Sequence, residues 1–167
     1  MKLHRYADNP ILSPHPDHPW EDLAVFNPAA WYDEAAGEVL LLYRAAESGP
    51  EYKCYFGLAR SRDGYHFERV SDQPALSPSG EGFDGATIQD PRIIKMGDWF
   101  YVTYAARHYP FGQFWIPEGR KNYVPPREPA PEFPHYLRTN ATLTGLAITK
   151  DFKSWIRAGW SETRSKW

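Results

Sequence analysis

The chain has almost no cysteine: Cys54 stands alone among 167 residues. An intrachain disulfide is therefore excluded, and nothing calls for an oxidising compartment. Long apolar runs are missing too. No stretch approaches the length of a transmembrane helix. Met1-Lys2-Leu3-His4-Arg5-Tyr6 lacks the apolar run of a signal peptide, so a cytoplasmic location is the expectation. Charge is not concentrated: the formal net charge is −2 and no basic stripe stands out. Nucleic acid and membranes are therefore not expected partners. No long segment keeps a 3.6-residue apolar period, which removes the signal for amphipathic helices. His15-Pro16-Asp17-His18 hints at a metal site, but no cluster of partners supports it. It reads as a solvated loop, and neither metal nor cofactor is expected.

What the chain does have is aromatic side chains, at 16% of residues, with 42% hydrophobic and 24% charged residues as in an ordinary soluble protein. Aromatics fill β cores, and flat rings also bind sugars. Twelve glycines and 16 prolines punctuate short apolar runs. Val39-Leu40-Leu41-Leu42-Tyr43, Tyr55-Phe56-Gly57-Leu58-Ala59 and Trp99-Phe100-Tyr101-Val102-Thr103-Tyr104 read as strands. The fold class expected is all-β.

Self-comparison carries the reading further. Asn27-Pro28-Ala29-Ala30-Trp31-Tyr32, a Gly37 turn and Val39 to Ala46 match Asp90-Pro91-Arg92-Ile93-Ile94-Lys95, a Gly97 turn and Trp99 to Ala106. Gly57-Leu58-Ala59-Arg60-Ser61-Arg62-Asp63 then matches Gly145-Leu146-Ala147-Ile148-Thr149-Lys150-Asp151, with Phe67 on Trp155 and Arg69 on Arg157. Two copies of one four-stranded antiparallel unit, each with an aromatic near its last strand, suggest propeller blades. The first spans about 24–72 and the second about 86–160 of a single domain, 1–167. The second copy is lengthened by an insertion at about 108–140 holding seven prolines and many aromatics. Its proline density excludes a central strand or helix, and its rings favour an ordered loop over a linker.

Antiparallel topology sorts the residues by end. Asn27 and Asp90 begin the first strand of their copies. Arg44 follows the second strand at the same end, and the insertion rises there too. Ser61-Arg62-Asp63-Gly64 falls at the other end and reads as a turn, with Asp bonding nearby amides and Gly taking positive φ. Asp90, on the innermost strand between Ile88 and Pro91, is the candidate acid, with a pKa raised by apolar surroundings. A turn cap or an ion pair with Arg92 is the competing role for it.

These residues resemble glycoside hydrolase family 130, the mannoside phosphorylases and related β-mannosidases. The resemblance runs from about Pro10 to Trp160. It rests on Phe26-Asn27-Pro28-Ala29, Leu42-Tyr43-Arg44-Ala45, Gly57-Leu58-Ala59-Arg60-Ser61-Arg62-Asp63-Gly64 and above all Gln89-Asp90-Pro91-Arg92. It implies a five-bladed β-propeller, of which this chain carries about two blades as a partial propeller. It further implies Asp90 as catalytic acid, with Asn27 and Arg44 binding the sugar beside the cleaved bond. Arg107 and His108, near the same end, are candidates for phosphate or substrate contact. The implied reaction is inverting cleavage of β-mannosides or manno-oligosaccharides by inorganic phosphate as co-substrate, or by water. Members of that family are longer, so a truncated form is expected, inactive by itself and prone to self-association as a homo-oligomer. The alternatives are a non-catalytic sugar-binding propeller module, or another five-bladed family such as the arabinanases or invertase-like enzymes.

Overall fold

The computed structural model describes residues 4–49, 51–108 and 142–162, the side chains of 160–162 excepted. Most of the proline-rich insertion, read from the sequence as an ordered loop, lies outside the described residues. The strands are β1 (Ala24–Asp33), β2 (Glu38–Ala46), β3 (Cys54–Ser61), β4 (Glu68–Arg69), β5 (Thr87–Met96), β6 (Trp99–Arg107), β7 (Leu143–Thr149) and β8 (Ile156–Glu162). They form two four-stranded sheets in the orders β1-β2-β3-β4 and β5-β6-β7-β8, antiparallel throughout. The described residues contain no α-helix, only a short 3-10 turn at Gly82–Asp84. The all-β expectation and the two four-stranded units are therefore observed.

Local chemistry explains the strand boundaries. At the β1–β2 turn, Asp33 Oδ1 accepts the amides of Ala35 and Ala36, and Gly37 takes φ 65°. Gly97, at φ 59°, makes the matching turn between β5 and β6. At the β3–β4 turn, Asp63 Oδ1 accepts the amides of Tyr65 and His66, and Gly64 takes φ 77°. Asp151 Oδ1 does the same for Lys153 and Ser154, with Phe152 at φ 59° in the place of that glycine. Both Asp63 and Asp151 are thus scaffold. Their carboxyls are held below the ordinary value, Asp63 chiefly by His66 and Asp151 chiefly by the Ser154 amide.

The two sheets stack through one core. Leu40, Leu42, Phe56 and Leu58 of the first sheet meet Phe100, Val102 and Tyr104 of the second. The run Leu40–Tyr43 is apolar at every position because β2 is covered on both faces. Its alternate residues, Leu41 and Tyr43, join Trp20 in a second cluster on the outer side.

The deepest polar groups repeat between the copies. Glu21, fully buried, accepts the Tyr43 hydroxyl at 3.0 Å and Arg69 Nε at 2.8 Å. Asp84, 1% exposed, accepts the Tyr104 hydroxyl at 2.8 Å and Arg157 Nε at 2.7 Å. Each arginine also donates to a serine carbonyl, Arg69 to Ser13 and Arg157 to Ser77. The repeat therefore begins further upstream than the strands suggest. Leu12-Ser13-Pro14 and Trp20-Glu21 match Leu76-Ser77-Pro78 and Phe83-Asp84. Burial, and then the facing carboxylate, pushes both tyrosine hydroxyls above their ordinary range.

A glycine lies under each of these tyrosine rings, since a Cβ at Gly57 would stand 2.1 Å from Tyr43 and one at Gly145 would stand 2.6 Å from Tyr104. We expect Gly57→Ala to destabilise the protein by about 1–3 kcal/mol, the usual cost of overpacking a filled core. Tyr43→Phe should cost about 1–3 kcal/mol by leaving part of the Glu21 carboxylate unsatisfied. Urea denaturation measures both, and a midpoint unchanged in either variant contradicts this account of the core.

Candidate active site

β1 and β5 each break register once, between Phe26 and Ala29 and between Gln89 and Arg92. The unpaired residues are Asn27-Pro28 and Asp90-Pro91. Proline has no amide to give the ladder, so a bulge is where a strand tolerates it. The residue ahead of each proline takes a left-handed backbone, Asn27 at φ 45° and Asp90 at φ 53°. Among non-glycine residues, Asn and Asp adopt that region most readily. Strained conformations of this kind gather at functional sites. The strands begin three residues before Asn27 and Asp90, not at them as expected, because Ala24 and Thr87 already pair with Ala46 and Arg107.

The bulges aim both side chains at one point. Asn27 Nδ2 donates to Asp90 Oδ1 at 2.8 Å. Arg44, on β2 opposite Phe26, donates from Nη1 to the same oxygen at 2.9 Å. Its guanidinium lies over the Phe26 ring, 4.4 Å from the centroid, and its Nε donates to Cys54 Sγ at 3.3 Å. The Arg44 side chain is 16% exposed and that of Asp90 is 40% exposed. Asp90 Oδ2 accepts no hydrogen bond among the described residues.

The ion pair of Asp90 is with Arg44, whereas Arg92 Nη1 turns to the Pro91 carbonyl. This also corrects the expected raised pKa. Burial pushes the Asp90 carboxyl up, but the Asn27 amide and Arg44, with the charge of Arg92 added, outweigh it and hold the carboxyl below its ordinary value. In this resting arrangement Asp90 is a carboxylate at neutral pH.

Arg107 ends β6 opposite Thr87, and His108 follows it with Nδ1 against the Gly82 carbonyl. The cluster of mutual contacts consists of Asn27, Arg44 and Asp90. His15 and His18 stack on each other, ring centroids 4.0 Å apart, and His18 Nδ1 reaches Glu21 at 2.6 Å. Among the described residues no group of three or more His, Cys, Asp or Glu side chains is arranged to hold a metal ion. Likewise, no helix is long and apolar enough to cross a membrane. Sequence reasoning missed the contacts of Arg44 with Phe26 and Cys54. It also missed the buried acids Glu21 and Asp84, although each stands six residues ahead of its bulge in both copies, a regularity that self-comparison could have found.

Fold and cluster together define an all-β protein built by repeating one four-stranded sheet, with a carboxylate site set in matched bulges. The chain belongs to glycoside hydrolase family 130: a family model described as β-1,4-mannooligosaccharide phosphorylase matches residues 6–114. A 1,2-β-oligomannan phosphorylase of Thermoanaerobacter sp. (strain X514) is 39% identical over 109 residues, covering 62% of this chain and 36% of that protein. A β-1,2-mannobiose phosphorylase of the same organism is 39% identical over 116 residues, covering 62% and 37%. The chain thus spans little more than a third of the length of these curated relatives. Among solved structures, a β-1,2-mannobiose phosphorylase from Listeria innocua in complex with β-1,2-mannobiose matches with a TM-score of 0.64 at 22% identity, covering 95% of this chain and 51% of that one. A glycosyl hydrolase from Bacteroides ovatus gives 0.66 at 23%, covering 95% and 41%. At these identities the structural likeness is one of fold.

If Asn27 and Arg44 hold the Asp90 carboxylate down, removing either donor must raise its midpoint. The sign follows from linkage: a carboxyl lowered in the folded state contributes stability above its unfolded pKa and loses it as pH falls through the lowered folded value. Carboxyl-carbon NMR titration should place Asp90 below 3.8, and Arg44→Gln should move it upward. A midpoint at or above the ordinary value in the unmodified protein contradicts the geometry.

Proposed function

We propose that this chain carries the acid-bearing part of an inverting phosphorylase that cleaves β-mannosides with inorganic phosphate. Asp90 is the general acid, and Asn27 and Arg44 bind the sugar beside the cleaved bond. The observation that carries this reading is the convergence of Asn27 and Arg44 on one oxygen of Asp90 while the other stays open. Membership of the mannooligosaccharide phosphorylase family and the two 39%-identical phosphorylase relatives supply its substrate class.

The chemistry requires a proton on the leaving glycosidic oxygen and an attack from the opposite face of the sugar ring. Asp90 is ionised in the resting arrangement, so its hold on a proton must strengthen before it acts. Sugar hydroxyls provide a way. On accepting hydrogen bonds from Asn27 and Arg44 they compete with Asp90 for those donors, and a dry sugar face over Oδ2 adds desolvation. Both effects raise the carboxyl pKa. Acid competence then follows substrate binding. The relatives named for β-1,2-linked mannans make a β-1,2-linkage the first to test.

Inversion with phosphate converts a β-mannoside to α-mannose 1-phosphate, and phosphorus NMR reads it directly. A complete enzyme containing this chain, supplied with β-1,2- or β-1,4-mannobiose and phosphate, should form that ester. Release of free mannose, unchanged by phosphate, would establish a hydrolase. Binding without either product, in that complete enzyme, would establish a sugar-binding module. In the complete enzyme, Asp90→Asn should lower turnover by about 10²–10⁴-fold, the usual contribution of a general acid. Substrates with good leaving groups should lose less, and an equal loss on both kinds of substrate would mean that Asp90 has another role.

A further inference from the structure

We propose that Cys54 is a positioning residue for the acid, its sulfur holding the Arg44 guanidinium in place on Asp90. The proposal rests on the reading of Asp90 as the acid and names a residue outside the Asn27–Arg44–Asp90 cluster.

Arg44 is held from three sides. The Phe26 ring supports its flat face at 4.4 Å, Asp90 Oδ1 takes Nη1 at 2.9 Å, and Cys54 Sγ takes Nε at 3.3 Å. A ring face leaves the guanidinium free to turn in its own plane. Two in-plane acceptors on different nitrogens remove that freedom, because the guanidinium fork is rigid. Asp90 is one of them, and without the second the direction of Nη1 would depend on the carboxylate it is meant to orient.

The sulfur is itself held. Cys54 is 3% exposed, and its amide donates to Thr87 Oγ1 at 3.1 Å. Its Sγ lies 3.8 Å from the Tyr52 carbonyl, the partner its S–H can donate to, which leaves a sulfur lone pair for Arg44. Thr87 is fully buried on β5, three residues before Asp90. The contacts form a closed circuit across the two sheets: Asp90 to Arg44, Arg44 to Cys54, Cys54 to Thr87, and Thr87 along β5 back to Asp90. A shift of one sheet against the other cannot move Asp90 away from Arg44 without also straining the Cys54–Thr87 contact. The single cysteine therefore sits where the two sheets share the site.

The test compares Cys54→Val, which fills the space without an acceptor, and Cys54→Ala, which empties it, with Cys54→Ser, which restores an acceptor. Nitrogen NMR follows exchange of the Arg44 Nε–H, carboxyl-carbon NMR follows the Asp90 midpoint, and kinetics of a complete enzyme containing this chain, with a β-mannobiose and phosphate, separate KM from kcat. In folded Cys54→Val or Cys54→Ala, the Nε–H should exchange faster and the Asp90 midpoint should rise. We expect kcat/KM to fall by about 3–10-fold, the scale of one weak hydrogen bond. Cys54→Ser should return all three toward the parent protein. A core-filling role for Cys54 would instead let Cys54→Val match the parent. An unchanged midpoint and exchange rate in a folded Cys54→Val overturns the proposal by itself. Unchanged turnover in Asp90→Asn overturns the acid assignment on which it rests, and the two failures are read from different variants.

Discussion

Glu21 and Asp84 are carboxylates almost wholly shut off from water, and each persists there because a tyrosine hydroxyl and an arginine reach it. An unpaired buried charge would cost several kcal/mol. Each acid therefore ties three distant pieces of its copy together: the segment ahead of the first strand, the second strand through its tyrosine, and the fourth through its arginine. That tie anchors the segment ahead of the first strand, six residues before the bulge in each copy. The glycine beneath each tyrosine ring belongs to the same constraint, because the ring can lie flat on the third strand only where there is no Cβ.

The bulges turn this scaffold into a site. In a regular strand, successive side chains alternate between faces, and neighbouring strands of different sheets seldom aim polar groups at one another. Proline breaks the ladder at the same place in both copies, and the residue before it swings into the left-handed region. One copy places asparagine there and the other aspartate, so the repeat yields an unlike pair that can hydrogen-bond across the gap. A pair of aspartates would have repelled, and a pair of asparagines would have had no acid. The divergence of two equivalent positions makes the unlike pair, while the repetition around them carries the geometry.

The electrostatics follow from the same arrangement. Asp90 shares one oxygen between two donors, and together they outweigh its burial and stabilise its charge. A carboxylate buried among apolar neighbours alone would have been an acid at rest. This one is held down by two groups of the other sheet. His108 is directed to the 3-10 turn ahead of β5.

Much was legible before any coordinates. Asp-Gly and Gly turns, alternating apolar runs and the doubled Asn-Pro and Asp-Pro units are local signals, and they were enough for two four-stranded sheets and for Asn27, Arg44 and Asp90 at one end. The sign of the Asp90 pKa shift was not local. Ile88 and Pro91 are its neighbours in sequence and suggested an apolar surrounding, whereas Asn27 and Arg44 are its neighbours in space and carry the opposite effect. Cys54 was likewise silent, since a lone thiol has no pattern to read, and its role appears only when β3 is laid beside β2 and β5. The sequence by itself determined which residue types stand at each turn, bulge and strand, because those depend on backbone preferences of a few consecutive residues. Only the tertiary structure decided which of them share a proton, because that depends on distances of about 3 Å between atoms far apart along the chain.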